Sequence, residues 1–291
     1  MEKAILIDGN SLMFRAFYGS YKTLENFDQN NIFPTNAIKT MMLMIFSLIK
    51  EKKYNYGIIA FDHKDKNFRK QEFDFYKANR KTIPEALVKQ IPVIFEIMPF
   101  FGLHLYCISG IEADDIIGSM AKEFSKQNII SDIYSSDNDM LQLVDDKINF
   151  YRIKNGVKDF ELFNIENFYS LVNLHPKQII DYKSLCGDSS DNLPGVHGIG
   201  KQTAIKLLNE FTKLENIYIN IDLIKNNSLK EKLIKDKENA FISKKLATIK
   251  TDYFENININ ELKLNQINIV EIKKYIFKYK FRGFDKYIKW E

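Results

Sequence analysis

The sequence predicts an α/β protein with a mostly parallel central sheet flanked by helices, followed by a helical C-terminal region. Three observations lead there. Short, continuous apolar runs recur at residues 4–7, 56–61, 103–107 and 129–134, with amphipathic stretches between them. Strands buried on both faces read this way, and strands alternating with helices build parallel sheets with crossover helices. Carboxylates follow each run, as turn residues do after buried strands. Beyond about residue 209 the chain is helical and lysine-rich, with no further strand pattern.

The whole chain sets bounds on this reading. At 291 residues it accommodates one large domain or two, and 45% hydrophobic residues are ample for a core. The net charge of +4 is mild, so affinity for nucleic acid has to come from local patches. The two cysteines, Cys107 and Cys186, have no metal or redox spacing and read as reduced, buried thiols. Asp8 interrupts the first apolar run, which excludes a signal peptide there. The longest apolar run, 41–49, is far short of the roughly 20 residues of a membrane span. The expectation is a cytoplasmic protein.

Taken in order, the first strand ends at Asp8-Gly9-Asn10-Ser11 and leads into a helix carrying Arg15. Pro34-Thr35 opens a long helix whose apolar side is Met41, Met42, Ile45, Leu48 and Ile49. The second strand ends at Asp62. Residues 63–81 then carry seven basic side chains, Lys64, Lys66, Arg69, Lys70, Lys77, Arg80 and Lys81, against three acids, with Phe68, Phe73, Phe75 and Tyr76 interleaved. A charge run is usually a solvated face, but basic residues mixed with aromatics also suit phosphates and unstacked bases. A helix is expected from Pro84 to Phe101, kinked or bounded by Pro92 and Pro99.

The third strand leads into Glu112-Ala113-Asp114-Asp115. Ala113, Ile116, Ile117, Met120, Ala121 and Phe124 recur at helical spacing, so the acids stand in a helix's first turn. One acid suffices to complement a helix dipole; three repel one another unless a cation lies between them, and hard oxygen ligands suit Mg²⁺ or Mn²⁺. The fourth strand ends at Ser136-Asp137-Asn138-Asp139. In open parallel sheets ligands collect at the carboxyl ends of strands, so these acids converge on one edge. A hairpin and a helix are expected between 149 and 171. Gly187-Asp188-Ser189-Ser190-Asp191 follows, and Gly195, Gly198 and Gly200 then make a tight turn between two helices, exposing backbone N–H groups to a phosphate at Lys201. The four histidines lack zinc-ligand spacing.

Together these motifs resemble the 5′-nuclease family: the N-terminal 5′→3′ exonuclease domain of bacterial DNA polymerase I, phage 5′ nucleases and flap endonucleases. The match runs almost end to end. It rests on Asp8-Gly9-Asn10-Ser11, Phe61-Asp62 with Phe68-Arg69 and Tyr76-Lys77-Ala78-Asn79-Arg80, Glu112-Ala113-Asp114-Asp115, Ser136-Asp137-Asn138-Asp139, and residues 187–195. The resemblance implies a PIN-like fold with an α/β nuclease domain at 1–175, a helical arch at about 63–92, and a C-terminal DNA-binding domain at 176–291 with a helix–three-turn–helix at about 185–210.

It implies a two-metal mechanism. Asp8, Asp62, Glu112, Asp114 and Asp115 would hold one divalent ion, and Asp137, Asp139, Asp188 and Asp191 the other; Asp8, Asp62 and Asp114 count among the catalytic residues with Lys77 and Arg80. Lys77 and Arg80 would act in the arch on the reacting phosphate, with Tyr76 stacking on a base. Arg15, Arg69, Gly195, Gly198, Gly200, Lys201 and Thr203 complete the expected DNA contacts, with K⁺ at the glycine turn. The implied substrate is a 5′-flap, nicked or 5′-ended DNA duplex or an RNA primer–DNA hybrid, in primer removal, Okazaki-fragment processing and repair. The protein is expected to be a monomer acting beside a separate DNA polymerase and ligase. Two departures stand out. Lys201 comes one position earlier than the family's Gly-Ile-Gly-x-Lys-Thr-Ala places it, and Gln202 takes the usual lysine place. The chain also stops at Glu291, where a polymerase I continues, so a free-standing nuclease is expected. A PIN-type ribonuclease and a non-catalytic DNA-binding protein of the same fold are the alternatives.

Overall fold

The computed structural model describes residues 1–23, 33–51, 53–80, 82–154 and 159–289; Lys81 of the basic stretch lies outside them. Six strands form one sheet: β1 (Lys3–Asp8), β2 (Tyr56–Ala60), β3 (His104–Tyr106), β4 (Ile130–Ser135), β5 (Ile148–Ile153) and β6 (Phe160–Phe163), in the order β3-β2-β1-β4-β5-β6. The first five run parallel and β6 closes the edge antiparallel to β5. β1, β2 and β4 are buried along nearly their whole length, as their unbroken apolar runs require.

From β1 the chain steps outward to β2 and β3, then returns to place β4 on the other side of β1. That reversal makes the carboxyl ends of β1 and β4 a switch point, where a parallel sheet leaves a crevice. Register puts Asp8 opposite Ala60 in β2 and Ile7 opposite Tyr134 in β4.

The principal helices are α1 (Gly9–Gly19), α2 (Asn36–Glu51), α3 (Phe68–Glu72), α4 (Ala113–Lys126), α5 (Ile179–Cys186), α6 (Lys201–Phe211), α7 (Lys237–Ala247) and α8 (Ile269–Lys278). The apolar stripe of α4 is buried as its spacing requires, with Ile116, Ile117, Met120, Ala121 and Phe124 in a core shared with α5 and α6. A second core on the other face of the sheet joins α1 and α2 to Ile272, Ile276, Phe284 and Ile288. The tail of the chain therefore returns to the sheet: Leu264 N–H donates to Asn55 O at 2.8 Å and Asn265 N–H to Gly102 O at 3.0 Å.

Two local expectations change. The helix expected from Pro84 to Phe101 is three pieces, Glu85–Val88, Ile91–Ile97 and a 3₁₀ turn Met98–Phe101, because Pro92 and Pro99 each stand in the first turn of a new segment. The basic stretch does not stand off as an arch. It forms only α3 and a run of turns, and Tyr76 packs against Leu193, Leu246 and Ala247.

The loop after α5 is closed by a reciprocal pair of backbone bonds between Asp188 and Leu193, at 3.1 and 2.8 Å. Gly195 sits beneath it with φ +59°, and a Cβ there would stand 2.2 Å from the Gly187 nitrogen. Gly195→Ala should therefore lower the melting temperature by several degrees, since a left-handed alanine costs about 1–3 kcal/mol before the clash. An unchanged melting curve would mean that the loop is not built on this contact.

Candidate active site

The acidic side chains are fixed by backbone donors at the sheet edge. Asp8 ends β1 and caps α1: its Oδ1 accepts from Ser11 N–H at 2.9 Å and its Oδ2 from the Ser135 hydroxyl at 2.6 Å. Asp62, just past β2, accepts from Ala113 N–H at 2.8 Å and so holds the first residue of α4. Asp137 accepts from Asp139 N–H at 2.9 Å, while its own N–H donates to Ser135 at 2.9 Å. These are caps of the kind that local sequence encodes, and each leaves carboxylate lone pairs unused.

Six of the nine expected acids, Asp8, Asp62, Asp114, Asp137, Asp139 and Asp188, line one cleft of about 1810 Å³. Burial and crowding hold three of them, Asp8, Asp114 and Asp139, above the usual carboxylate range. Burial, with Asp137 and Asp62 nearby, pushes Asp8 up to about 7 despite the bonds from Ser11 and Ser135. Burial and Asp137 push Asp139 up to about 7 as well, against the pull of Lys183. Burial, Asp137 and Asp8 raise Asp114 well above the usual carboxylate range. Negative charge gathered in a low-dielectric crevice costs free energy until a cation neutralises it. Among the described residues no three His, Cys, Asp or Glu side chains are drawn tightly enough to encage an ion by themselves. The donor set is nevertheless all hard oxygen with lone pairs facing the cleft, which fits Mg²⁺ or Mn²⁺ and not a thiolate-seeking metal.

The protein's own cations meet part of that charge. Lys183, on α5, binds Asp139 and also Asp188, the latter at 2.7 Å. Burial would lower its ammonium, but the two aspartates outweigh burial and keep it charged. In return Lys183 and the Ser190 bonds overcome burial and pull Asp188 down to about 2. Sequence reasoning passed over Lys183; its one signal is a position on the last turns of the helix that ends just before Asp188. Arg80 lies on the cleft wall and binds Asp191 Oδ1 at 2.8 Å. Lys77 lines the cleft as well, its ammonium 2.8 Å from Glu112.

The structure does not bring the other expected residues to the cleft in the expected way. Asp191 stands one step behind it, bound to Arg80. Glu112 and Asp115 face the other way and are bound to Arg69, which is 2% exposed. Arg69 therefore has no face toward DNA. Tyr76, expected to stack on a base, is 3% exposed and directs its hydroxyl at Glu112. The segment is pinned there by Lys77 N–H to Asp191 O at 3.0 Å and Asn192 to Phe75 O at 2.8 Å. Arg15 lines the cleft while donating to the carbonyls of Ile153 and Lys154 at the end of β5. Of the glycine turn, Gly195 is buried, Gly198 is exposed with φ +77°, and Gly200 caps α6 with no side chain over its first N–H groups. Lys201 is exposed on the cleft rim and Thr203 is half-buried on α6.

Two family models match the chain: the N-terminal resolvase-like domain of 5′-3′ exonucleases over residues 3–172, and their C-terminal SAM fold over residues 174–269. A 5′-3′ exonuclease of Mycoplasma genitalium is 46% identical over 266 residues, covering 90% of this chain and 91% of its own. A DNA polymerase I of Caldicellulosiruptor bescii is 38% identical over 98% of this chain, which spans 33% of that polymerase. Among solved structures, the bacteriophage T5 D15 flap endonuclease with DNA and metal ions superposes with a TM-score of 0.71 at 21% identity, over 95% of this chain and 98% of that one. The catalytic core of Rad2 with DNA substrate does so with a TM-score of 0.60 at 15% identity, over 95% and 87% of the two chains. At those identities the two structures establish likeness of fold. No helix among the described residues is long and apolar enough to cross a membrane.

The raised carboxyls make metal-free stability depend on pH in a definite direction. Asp8 titrates near 7 when folded and near 3.8 when unfolded, so the folded state binds the proton more tightly. Its favourable contribution is present below pH 4 and is lost as pH rises through 7. Asp8→Asn keeps the helix cap but removes the charge. In EDTA at pH 8 it should be more stable than wild type, by on the order of 2 kcal/mol. Thermal melts across pH 5–8 check this; a variant that melts below wild type throughout would make Asp8 a structural group.

Proposed function

This chain belongs to the 5′-3′ exonuclease family, and on that premise we propose that it hydrolyses DNA phosphodiester bonds at or near 5′ ends, including 5′ flaps. The observation that carries this is the convergence of six carboxylates, from three strand ends, the start of α4 and the loop after α5, on a cleft that Lys77, Arg80 and Lys183 also line. Asp8, Asp62 and Asp114 would hold one divalent cation and Asp137, Asp139 and Asp188 a second, Mg²⁺ or Mn²⁺, with Asp191 behind them. Such ions supply Lewis-acid activation of a water and neutralise charge on the phosphodiester.

The remaining steps belong to the protein. Lys77 and Arg80 offer positive charge where charge develops on the reacting phosphate. Both stay protonated because the carboxylates around them outweigh their burial. Lys183 holds Asp139 and Asp188 apart from each other's charge before an ion arrives. The open N-terminus of α6 after Gly198 and Gly200, with Lys201 and Thr203 at its start, would grip duplex phosphates, and the turn's backbone carbonyls would be the groups to hold K⁺. Arg15, which also lines the cleft, would add positive charge along the strand's path. The reaction would serve removal of RNA primers and repair.

Cleavage of a 5′-flap duplex should need Mg²⁺ or Mn²⁺ and stop in excess EDTA. Lys77→Ala or Arg80→Ala should slow single-turnover cleavage by about 10²–10³, with much smaller loss of flap binding in Ca²⁺. Equal losses of binding and rate, with a salt dependence shallower by about one unit per charge, would place both residues in a general phosphate patch. Full activity in EDTA would remove the metal-dependent reading altogether.

A further inference from the structure

We propose that Glu112 and Asp115 bind no metal ion and instead form, with Arg69, a buried anchor whose output is the position of Lys77. The case is one of counting donors and lone pairs. A guanidinium has five N–H donors, and all five of Arg69's are taken. Its Nε donates to Leu246 O at 3.0 Å. Nη1 donates to Glu112 Oε2 and Asp115 Oδ2, both at 2.7 Å. Nη2 donates to Asp115 Oδ1 at 2.8 Å and to Thr248 O at 2.6 Å.

Glu112 is equally full. Its Oε1 accepts from Asn67 at 2.7 Å and from Lys77 at 2.8 Å; its Oε2 accepts from Arg69 and from the Tyr76 hydroxyl at 3.3 Å. Two oxygens carry about four lone-pair sites, so none is left for an ion. Asp115 is fully buried and also accepts from Lys250 N–H at 2.8 Å. Asp8, by contrast, has one donor on each oxygen and keeps a lone pair on both.

Charge gives the same answer. Arg69 and Lys77 balance Glu112 and Asp115, so this cluster is neutral without a divalent ion. Among the described residues, by contrast, no cation stands within ion-pair distance of Asp8, Asp62, Asp114 or Asp137, and Lys77 and Arg80 act on Asp114 and Asp62 only from farther away. Burial would raise Glu112, but Lys77 and Arg69 overcome it and keep the carboxylate charged. The anchor also joins three distant parts of the chain, residues 67–77, the start of α4 and residues 246–250. Lys77, at φ +54° and 9% exposed, is thus held at the cleft wall by Glu112, and Glu112 by Arg69. Glu112, Arg69 and Asp115 are positioning residues. The inference rests on the reading that Lys77 serves the reacting phosphate.

The test compares Glu112→Gln, Asp115→Asn and Asp8→Asn with wild type in two measurements. Calorimetric Mn²⁺ binding, which needs no turnover, should stay within about twofold of wild type in Glu112→Gln and Asp115→Asn, and weaken by about tenfold or more in Asp8→Asn. Single-turnover cleavage should fall about tenfold or more in Glu112→Gln with flap affinity in Ca²⁺ unchanged. The double variant Glu112→Gln/Lys77→Ala should be no slower than Lys77→Ala, because the two act as one unit. Tenfold weaker Mn²⁺ binding in Glu112→Gln or Asp115→Asn overturns the proposal, as does a double variant whose losses multiply. Asp115→Asn leaves all four bonds of Glu112 in place, so it carries the binding test if Glu112→Gln does not fold. A wild-type protein that binds Mn²⁺ but cleaves nothing would defeat the nuclease reading, while the Mn²⁺ comparison would still decide which acids are ligands.

Discussion

Mutual repulsion among the carboxylates at the sheet edge is the constraint on which the rest of the site depends. Burial alone pushes Asp8, Asp114 and Asp139 toward their neutral forms, and their acidic neighbours add to the push. A fold that spends stability on such a cluster has to be held together by something else, and here that is an apolar sheet with its caps. The same backbone donors that fix the acids, Ser11 N–H on Asp8 and Ala113 N–H on Asp62, begin the helices that cover the strands. The cluster is therefore held rigid by the elements it strains.

The compensation divides into two kinds. Around Glu112 and Asp115 it is internal, with Arg69 and Lys77 supplying both charges and Asn67, Tyr76 and the Lys250 N–H adding further donors. In the cleft it is partial. Lys183 lies between Asp139 and Asp188, Arg80 reaches Asp191, and among the described residues the donors to the group formed by Asp8, Asp62, Asp114 and Asp137 are a hydroxyl and backbone N–H groups. A cation entering the cleft meets unbalanced charge at one end and a competing ammonium at the other. That asymmetry separates an ion-seeking group of acids from a structural one of similar composition.

Much of this was legible in the sequence because it is local. Apolar runs of four to six residues ending in Asp8, Asp62 and Asp137 encode both the strand and the carboxylate at its end, and the spacing of Ile116, Ile117, Met120 and Phe124 encodes the buried face of α4. The expected four strands and the hairpin after them are present; the hairpin completes the sheet as β5 and β6. What escaped depends on partners far away in the chain. Arg69 meets Glu112 and Asp115 across more than forty residues and Leu246 across 177, and no motif announces that pairing. One clue was available for the acids: successive helical residues differ by about 100°, so Asp114 and Asp115 cannot both face one cleft. Lys77 and Arg80 of the basic stretch likewise pair with Glu112 and Asp191, 35 and 111 residues away in the chain.

The central claim is that the cleft acids, and not the anchored pair, carry uncompensated charge awaiting a divalent ion. Proton release on metal binding tests it without substrate or turnover. Asp8 and Asp139 titrate near 7, so at that pH the metal-free cleft carries on the order of one proton that an incoming ion must displace. Calorimetric Mn²⁺ titrations at pH 7 in buffers of different ionisation enthalpy count that proton. The account predicts release of on the order of one proton or more at pH 7, decreasing as pH rises and the carboxyls ionise unaided. Tight Mn²⁺ binding with no proton released at pH 7 would contradict it, because the ion would then be sitting on acids that were already charged and already compensated.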